Sequence, residues 1–266
     1  EIGVRLVGSE MCIRDSAILE AWYGGQAQGE AIADVIYGDF NPSGKVTSTW
    51  YNSDSELPDI KNYDIRAGHR TYMYYNKTPL YAFGHGLSYT TFDYGNLSLS
   101  TKTLGKDETV TISFDVTNSG VRDGAEIVQL YTHANSAVER PVKELKGFAR
   151  VELKAGETKT VTMQLHHSDL RWYNPATHYF EVEDGTVDIM VGSSSSDIRL
   201  TDAITTRAAQ VLATYKSGLS GIGSVAADAV NGNKCVYRID GVKVDSEPDS
   251  LASGIYIVDG KKILKK

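Results

Sequence analysis

The sequence predicts a mixed α/β segment followed by an all-β immunoglobulin-like sandwich and a small C-terminal β module. Three observations carry this. Residues 26–37 hold apolar side chains at helical spacing. From about Phe92 the hydrophobic period switches to two. Two Asp-Gly dipeptides sit between strand-like runs in the last 36 residues.

The helix is written in Ala27, Ala31, Ile32, Val35 and Ile36, with Gly38 placed to cap its C-terminus. Asp39 to Gly44 is turn chemistry, with Pro42 and Gly44 inside it. Lys45 to Trp50 alternates weakly and reads as a strand. A polar loop runs to about Ala67. The aromatic run Arg70-Thr71-Tyr72-Met73-Tyr74-Tyr75 reads as a further strand. Strict alternation then marks Val110, Ile112, Phe114 and Val116, next Val128, Leu130 and Thr132, next Val161, Met163 and Leu165, and last Val187, Ile189 and Val191. Asn118-Ser119-Gly120, Ala155-Gly156-Glu157 and Asp184-Gly185 separate these runs as turns. Residues 204–230 have the small, polar composition of a linker. Val236–Ile239 and Val242–Val244 flank Asp240-Gly241, and Gly254–Val258 and Lys261–Leu264 flank Asp259-Gly260, which predicts two hairpins.

Composition excludes several function classes. Hydrophobic residues at 41% and charged residues at 23% are those of a folded chain, not a disordered one. With 27 basic against 34 acidic side chains the net charge is −7 and no basic stripe exists, which argues against a nucleic-acid partner. No apolar run approaches the roughly 18–20 residues of a membrane-spanning helix. The two cysteines, Cys12 and Cys235, belong to no metal-spaced cluster, so neither a zinc site nor a disulfide framework is expected, and no metal or cofactor is assigned. The first sixteen residues, EIGVRLVGSEMCIRDS, continue into no element and read as a non-native artefact.

No catalytic constellation stands out. Glu20, Glu30, Asp34, Asp39, Asp54, Glu56, Asp59 and Asp64 are carboxylates with no paired spacing; Glu30 and Asp34 read as a solvated helix face, Asp39 as a turn residue. His166 and His167, adjacent at a strand end, point to opposite faces and share no metal. His69 is isolated, and so is His85, in Gly84-His85-Gly86. Ser194 sits in a plain serine run. Gly24-Gly25 precedes the helix without the lysine of a phosphate loop. Trp172, Tyr173 and Tyr179 are candidates for a sugar platform, and more often such residues fill a core or a seam.

Two stretches nonetheless resemble a known family. AWYGGQAQGEAIADVIYGDFNPSGKVTSTWY (Ala21–Tyr51) and RTYMYYNKTPLYAFGHGLSYTTF (Arg70–Phe92) resemble the second domain of glycoside hydrolase family 3, with Ala82 where the family phrase has proline. EIVQLYTHANSAVERPVKELKGFARVELKAGETKTVTMQL (Glu126–Leu165) resembles the fibronectin type III-like domain that ends many of these enzymes. The resemblance implies that 17–92 is the end of an α/β sandwich domain, 93–203 a fibronectin type III-like domain, 204–230 a linker and 231–266 a β tail. It implies that the nucleophile and the acid/base carboxylate lie upstream, in a barrel domain and the earlier α/β domain, so no catalytic residue is assigned here. It also implies an exo-acting retaining glycosidase acting on oligosaccharides. The Arg70–Tyr75 phrase resembles the β-xylosidase and arabinofuranosidase branch, with Met73 in place of an arginine; β-glucosidase is the alternative, and a non-catalytic carbohydrate- or surface-binding module is the reading from another class. The tail resembles C-terminal segments of secreted Gram-negative bacterial proteins, which implies a secreted, periplasmic or surface protein and secretion machinery as a partner.

Overall fold

The computed structural model describes residues 17–210 and, beyond them, the backbone of four short strands between 236 and 265. The sixteen N-terminal residues and most of the expected linker lie outside the described residues. Two compact units are present, one within Glu1–Trp172 and Val182–Ala209, the other within Tyr173–Glu181 and Gln210–Lys266.

In the first unit the expected helix is α1, Gln28–Tyr37. Gly38 ends it in the left-handed region at φ 84°, with its N–H on the Val35 carbonyl. Only glycine takes that cap without strain. The Arg70–Tyr75 run is a correction. Thr71–Tyr74 forms a one-turn helix, α2, and His69 and Thr71 carry positive φ on either side of Arg70. Aromatic side chains favour strands only where a pleated neighbour receives them; here the turn instead throws Tyr72 onto Phe83, their rings stacked at 4.2 Å. Lys45–Trp50 also differs from expectation. It makes a single bridge, Trp50 to Tyr81, and Val46 exchanges backbone hydrogen bonds with Gly84 and His85 at 2.8 Å, but no regular ladder forms.

The sandwich matches the alternation. One sheet has β1 (Phe92–Leu99), β3 (Thr109–Asn118) and β6 (Thr158–His166) in the order β1-β3-β6. The other has β2 (Thr103–Leu104), β4 (Gly124–Ala134), β5 (Glu144–Leu153), β9 (Gly185–Gly192) and β10 (Ile198–Thr206) in the order β2-β10-β9-β4-β5. All pairs are antiparallel except β2 beside β10. Val110, Ile112, Phe114 and Val116 are completely buried, and so are Val128, Leu130, Ile189 and Val191. The inward faces of the two sheets therefore make one apolar core. Residues 204–206, expected in the linker, complete β10 instead, with Ile204 and Thr206 buried.

A three-stranded sheet ordered β11-β8-β7 is made of β7 (Trp172–Asn174), β8 (Tyr179–Val182) and β11 (Ala209–Gln210). Both expected tail hairpins form. β12 (Val236–Arg238) pairs antiparallel with β13 (Lys243–Val244), and β14 (Gly254–Val258) with β15 (Lys261–Lys265), in a sheet ordered β13-β12-β14-β15.

Candidate functional site

β4 is buried on both faces along its second half. Val128, Leu130 and Thr132 point into the core, while Gln129 and Tyr131 point the other way and are buried as well. What covers them is α2 and the segment that runs from it to β1. Tyr72 meets the Tyr131 ring edge-on at 6.0 Å, and the Leu145 N–H donates to its hydroxyl at 3.1 Å. Gln129 Nε2 donates to the Gly84 carbonyl at 3.2 Å and to the Ser193 carbonyl at 2.6 Å, while the Tyr131 hydroxyl donates to Gln129 Oε1. Gly84 sits at φ 80°, and a Cβ there would lie 2.1 Å from Gln129 Oε1. Both the torsion and the close approach require glycine at this position.

The same segment is fixed at its ends. Asn41 donates to the Asp123 carbonyl and accepts from Ser88 and from the Tyr89 N–H. Thr90 donates to the wholly buried Asn118, whose amide donates to the Arg122 and Leu153 carbonyls. A buried side-chain amide of this kind stays in place only when its donors and acceptors are met.

Beside this joint lies a cleft of about 960 Å³, bordered by Lys45, the stretch from His85 to Tyr94, Glu126, the serine run and Arg199. Lys45 reaches Glu126 at 3.0 Å and donates to the Gly86 carbonyl at 2.9 Å; both side chains of the ion pair are largely buried. Asp197 holds Arg199 at 2.9 Å and accepts from the Ser193 hydroxyl at 2.6 Å. The Arg199 guanidinium lies 4.9 Å over the Tyr94 ring. Hydrogen bonds from Arg199, and then from Ser193, hold the Asp197 carboxyl below its ordinary value against the opposing effect of burial. Burial, and secondly the Lys45 ammonium, lower the His85 pKa from 6.5, so the imidazole is uncharged at neutral pH.

Several of the residues singled out in the sequence have structural partners. Asp64 caps a turn by accepting from the Arg66 and Ala67 N–H groups, Asp59 accepts from Lys61 N–H, and Glu20 from Trp22 N–H. Glu56 accepts from the Tyr75 hydroxyl at 2.7 Å and pairs with Lys77, and these hold its carboxyl below the usual range. His166 caps the short helix His167–Leu170, while His167 turns inward to the Arg207 carbonyl at 2.8 Å, so the two rings share no ligand. Ser194 caps its own turn, accepting from Asp197 N–H at 3.0 Å. Trp172 carries the Arg140 guanidinium 4.5 Å over its ring, and Tyr173 packs edge-on against Phe180. No group of three metal-ligating side chains occurs among the described residues. The sequence reading missed Lys45, Glu126, Gln129, Asp197 and Arg199. Glu126 and Gln129 interrupt an apolar strand, and that interruption was the available signal.

Residues 9–89 match the glycosyl hydrolase family 3 C-terminal domain, and residues 126–195 match the fibronectin type III-like domain. The chain belongs to glycosyl hydrolase family 3. It is 40% identical over 181 residues to a xylan 1,4-beta-xylosidase of Xylanibacter ruminicola, covering 68% of this chain and 20% of that protein. It is 42% identical over 200 residues to thermostable beta-glucosidase B of Acetivibrio thermocellus, covering 71% of this chain and 26% of that protein. The structure of beta-glucosidase 3B from Thermotoga neapolitana in complex with glucose superposes with a TM-score of 0.64 at 30% identity, over 71% of this chain and 28% of that one. The chain thus spans about a quarter of the length of the family 3 relatives it matches. The joint over β4 lies where the two family segments meet.

Proposed function

We propose that this chain is the non-catalytic C-terminal part of an exo-acting retaining β-glycosidase that removes terminal β-linked xylose from plant-wall oligosaccharides. The observation that carries the glycosidase reading is the occurrence of both family 3 segments, in order, in one chain. In a retaining enzyme two carboxyl groups about 5–5.5 Å apart act as nucleophile and acid/base. On this reading both are supplied by the barrel and the earlier part of the α/β domain. The role of the present residues is mechanical: the sandwich backs the last segment of the α/β domain through Gln129, Tyr131 and the Lys45–Glu126 pair.

This reading puts xylose ahead of glucose, supported by the Arg70–Tyr75 phrase and by the similarity to the Xylanibacter xylosidase. The Acetivibrio and Thermotoga relatives favour glucose as the second reading. In the complete enzyme, kcat/KM on a nitrophenyl β-xyloside is expected to exceed that on the β-glucoside, and the reverse order replaces xylose with glucose. The two-hairpin tail supports export, in a secreted, periplasmic or surface-held enzyme. Deleting residues 231–266 is expected to alter where the enzyme accumulates and to leave its kinetics within about twofold, roughly 0.4 kcal/mol. Lost activity with unchanged location refutes that role.

A further inference from the structure

The cleft beside the joint has chemistry that the mechanical role does not use. Its volume of about 960 Å³ falls within the roughly 300–1,000 Å³ of small-molecule sites. Five charged groups border it: four cancel in two pairs, Lys45 with Glu126 and Asp197 with Arg199, and the fifth, Asp93, is exposed to solvent. A free anion would meet Glu126 and Asp197, and a free cation would meet Lys45 and Arg199. What remains unsatisfied is neutral or one-sided. The His85 imidazole stacks on Tyr81 at 5.4 Å and makes no hydrogen bond among the described residues, so its two nitrogens offer one donor and one acceptor. Glu126 Oε1 serves Lys45 and the Ile127 N–H, which leaves Oε2 without a hydrogen-bond partner among the described residues. Phe92 and Leu87 add apolar wall. A ligand that both donates and accepts, carries no charge and presents an apolar face meets all of these at once.

We propose that this cleft is a non-catalytic binding site for a neutral sugar of one or two rings, with hydroxyls held by the His85 imidazole and Glu126 Oε2. Binding here does not depend on the glycosidase reading, because it is measured without turnover. The other candidates are weaker: the cavity at His133–Arg140 is wide open, and the unpaired Arg140 Nε beside it is sealed behind the Trp172 stack.

The intact chain is titrated with xylose, xylobiose, glucose and cellobiose by ligand-observed NMR and calorimetry, with glucuronate, glucosamine and inorganic phosphate as charged probes. One saturable site for a neutral sugar is expected, with the charged probes weaker. His85→Phe keeps the stack on Tyr81 and removes both ring nitrogens, so affinity is expected to fall about tenfold, the loss of roughly one hydrogen bond. Ser196→Tyr, at the exposed rim, is expected to abolish binding by occupying the space, with an unchanged fold by circular dichroism. Absence of saturable binding by every neutral sugar, equal affinity in His85→Phe, or tighter binding of a charged probe each overturns the proposal.

Discussion

Replacing Gln129 with leucine tests the joint over β4 directly. The side chain keeps its approximate length and becomes apolar. Three buried groups then lose their partner: the Gly84 carbonyl, the Ser193 carbonyl and the Tyr131 hydroxyl. Gly84 is buried, Ser193 is 7% exposed and Tyr131 is completely buried, so water cannot replace the amide without opening the packing. An unsatisfied buried polar group costs about 1–3 kcal/mol. Three such losses, partly relieved by relaxation, amount to roughly 3–6 kcal/mol, a large share of the about 5–15 kcal/mol that holds a domain folded. Urea unfolding of the intact chain, followed by fluorescence, reads this as a lower midpoint with the slope preserved. Limited proteolysis reads where the change falls, and cleavage within 70–91 is expected to appear first. A loss under about 1 kcal/mol, or first cleavage inside the sandwich strands, refutes the joint as described.

Lys45→Met is expected to destabilise the chain by about 3–5 kcal/mol, because it leaves Glu126 buried without its cation; Lys45→Met with Glu126→Leu recovers most of that loss, and a double variant no better than the single contradicts a buried pair. The Asp197 carboxyl, lowered by Arg199, contributes stability that is present above its ordinary value of 3.8 and is lost as pH falls through the lower folded value. The Tm advantage of the parent over Asp197→Asn therefore shrinks below about pH 4; an advantage independent of pH contradicts the pairing, which half-exposure and salt screening keep small. A piece restricted to 17–92 is not expected to unfold cooperatively, since Ile36, Ile60, Tyr37 and Tyr63 are each at least 64% exposed and only the joint side is covered. A sharp calorimetric transition from that piece refutes this.

The sandwich was legible because a half-buried strand writes its burial into every second residue. Val110 to Val116 and Val187 to Val191 show this, and each of those side chains is buried. The helix was legible through its period and its Gly38 cap. The Arg70–Tyr75 run misled because strand propensity measures a fit to neighbours, and the neighbour here is an aromatic pocket made by Phe83 and Tyr131 from distant parts of the chain. The cleft was hidden for the same reason. Lys45 and Glu126 are 81 positions apart in the sequence, and Asp197 lies in a serine run that looks like plain turn composition. Local patterns report on faces and turns; a site assembled from the end of one domain and three strands of the next has no local period to report it.

The most direct measurement is turnover by the purified 266-residue chain on nitrophenyl β-xyloside and β-glucoside. On the proposal that both reacting carboxylates come from other parts of a longer enzyme, the expected rate is that of a blank, because losing such groups removes orders of magnitude in kcat. Turnover well above the blank that a single Asp or Glu substitution in this chain abolishes would contradict the non-catalytic role and place the active site among these residues.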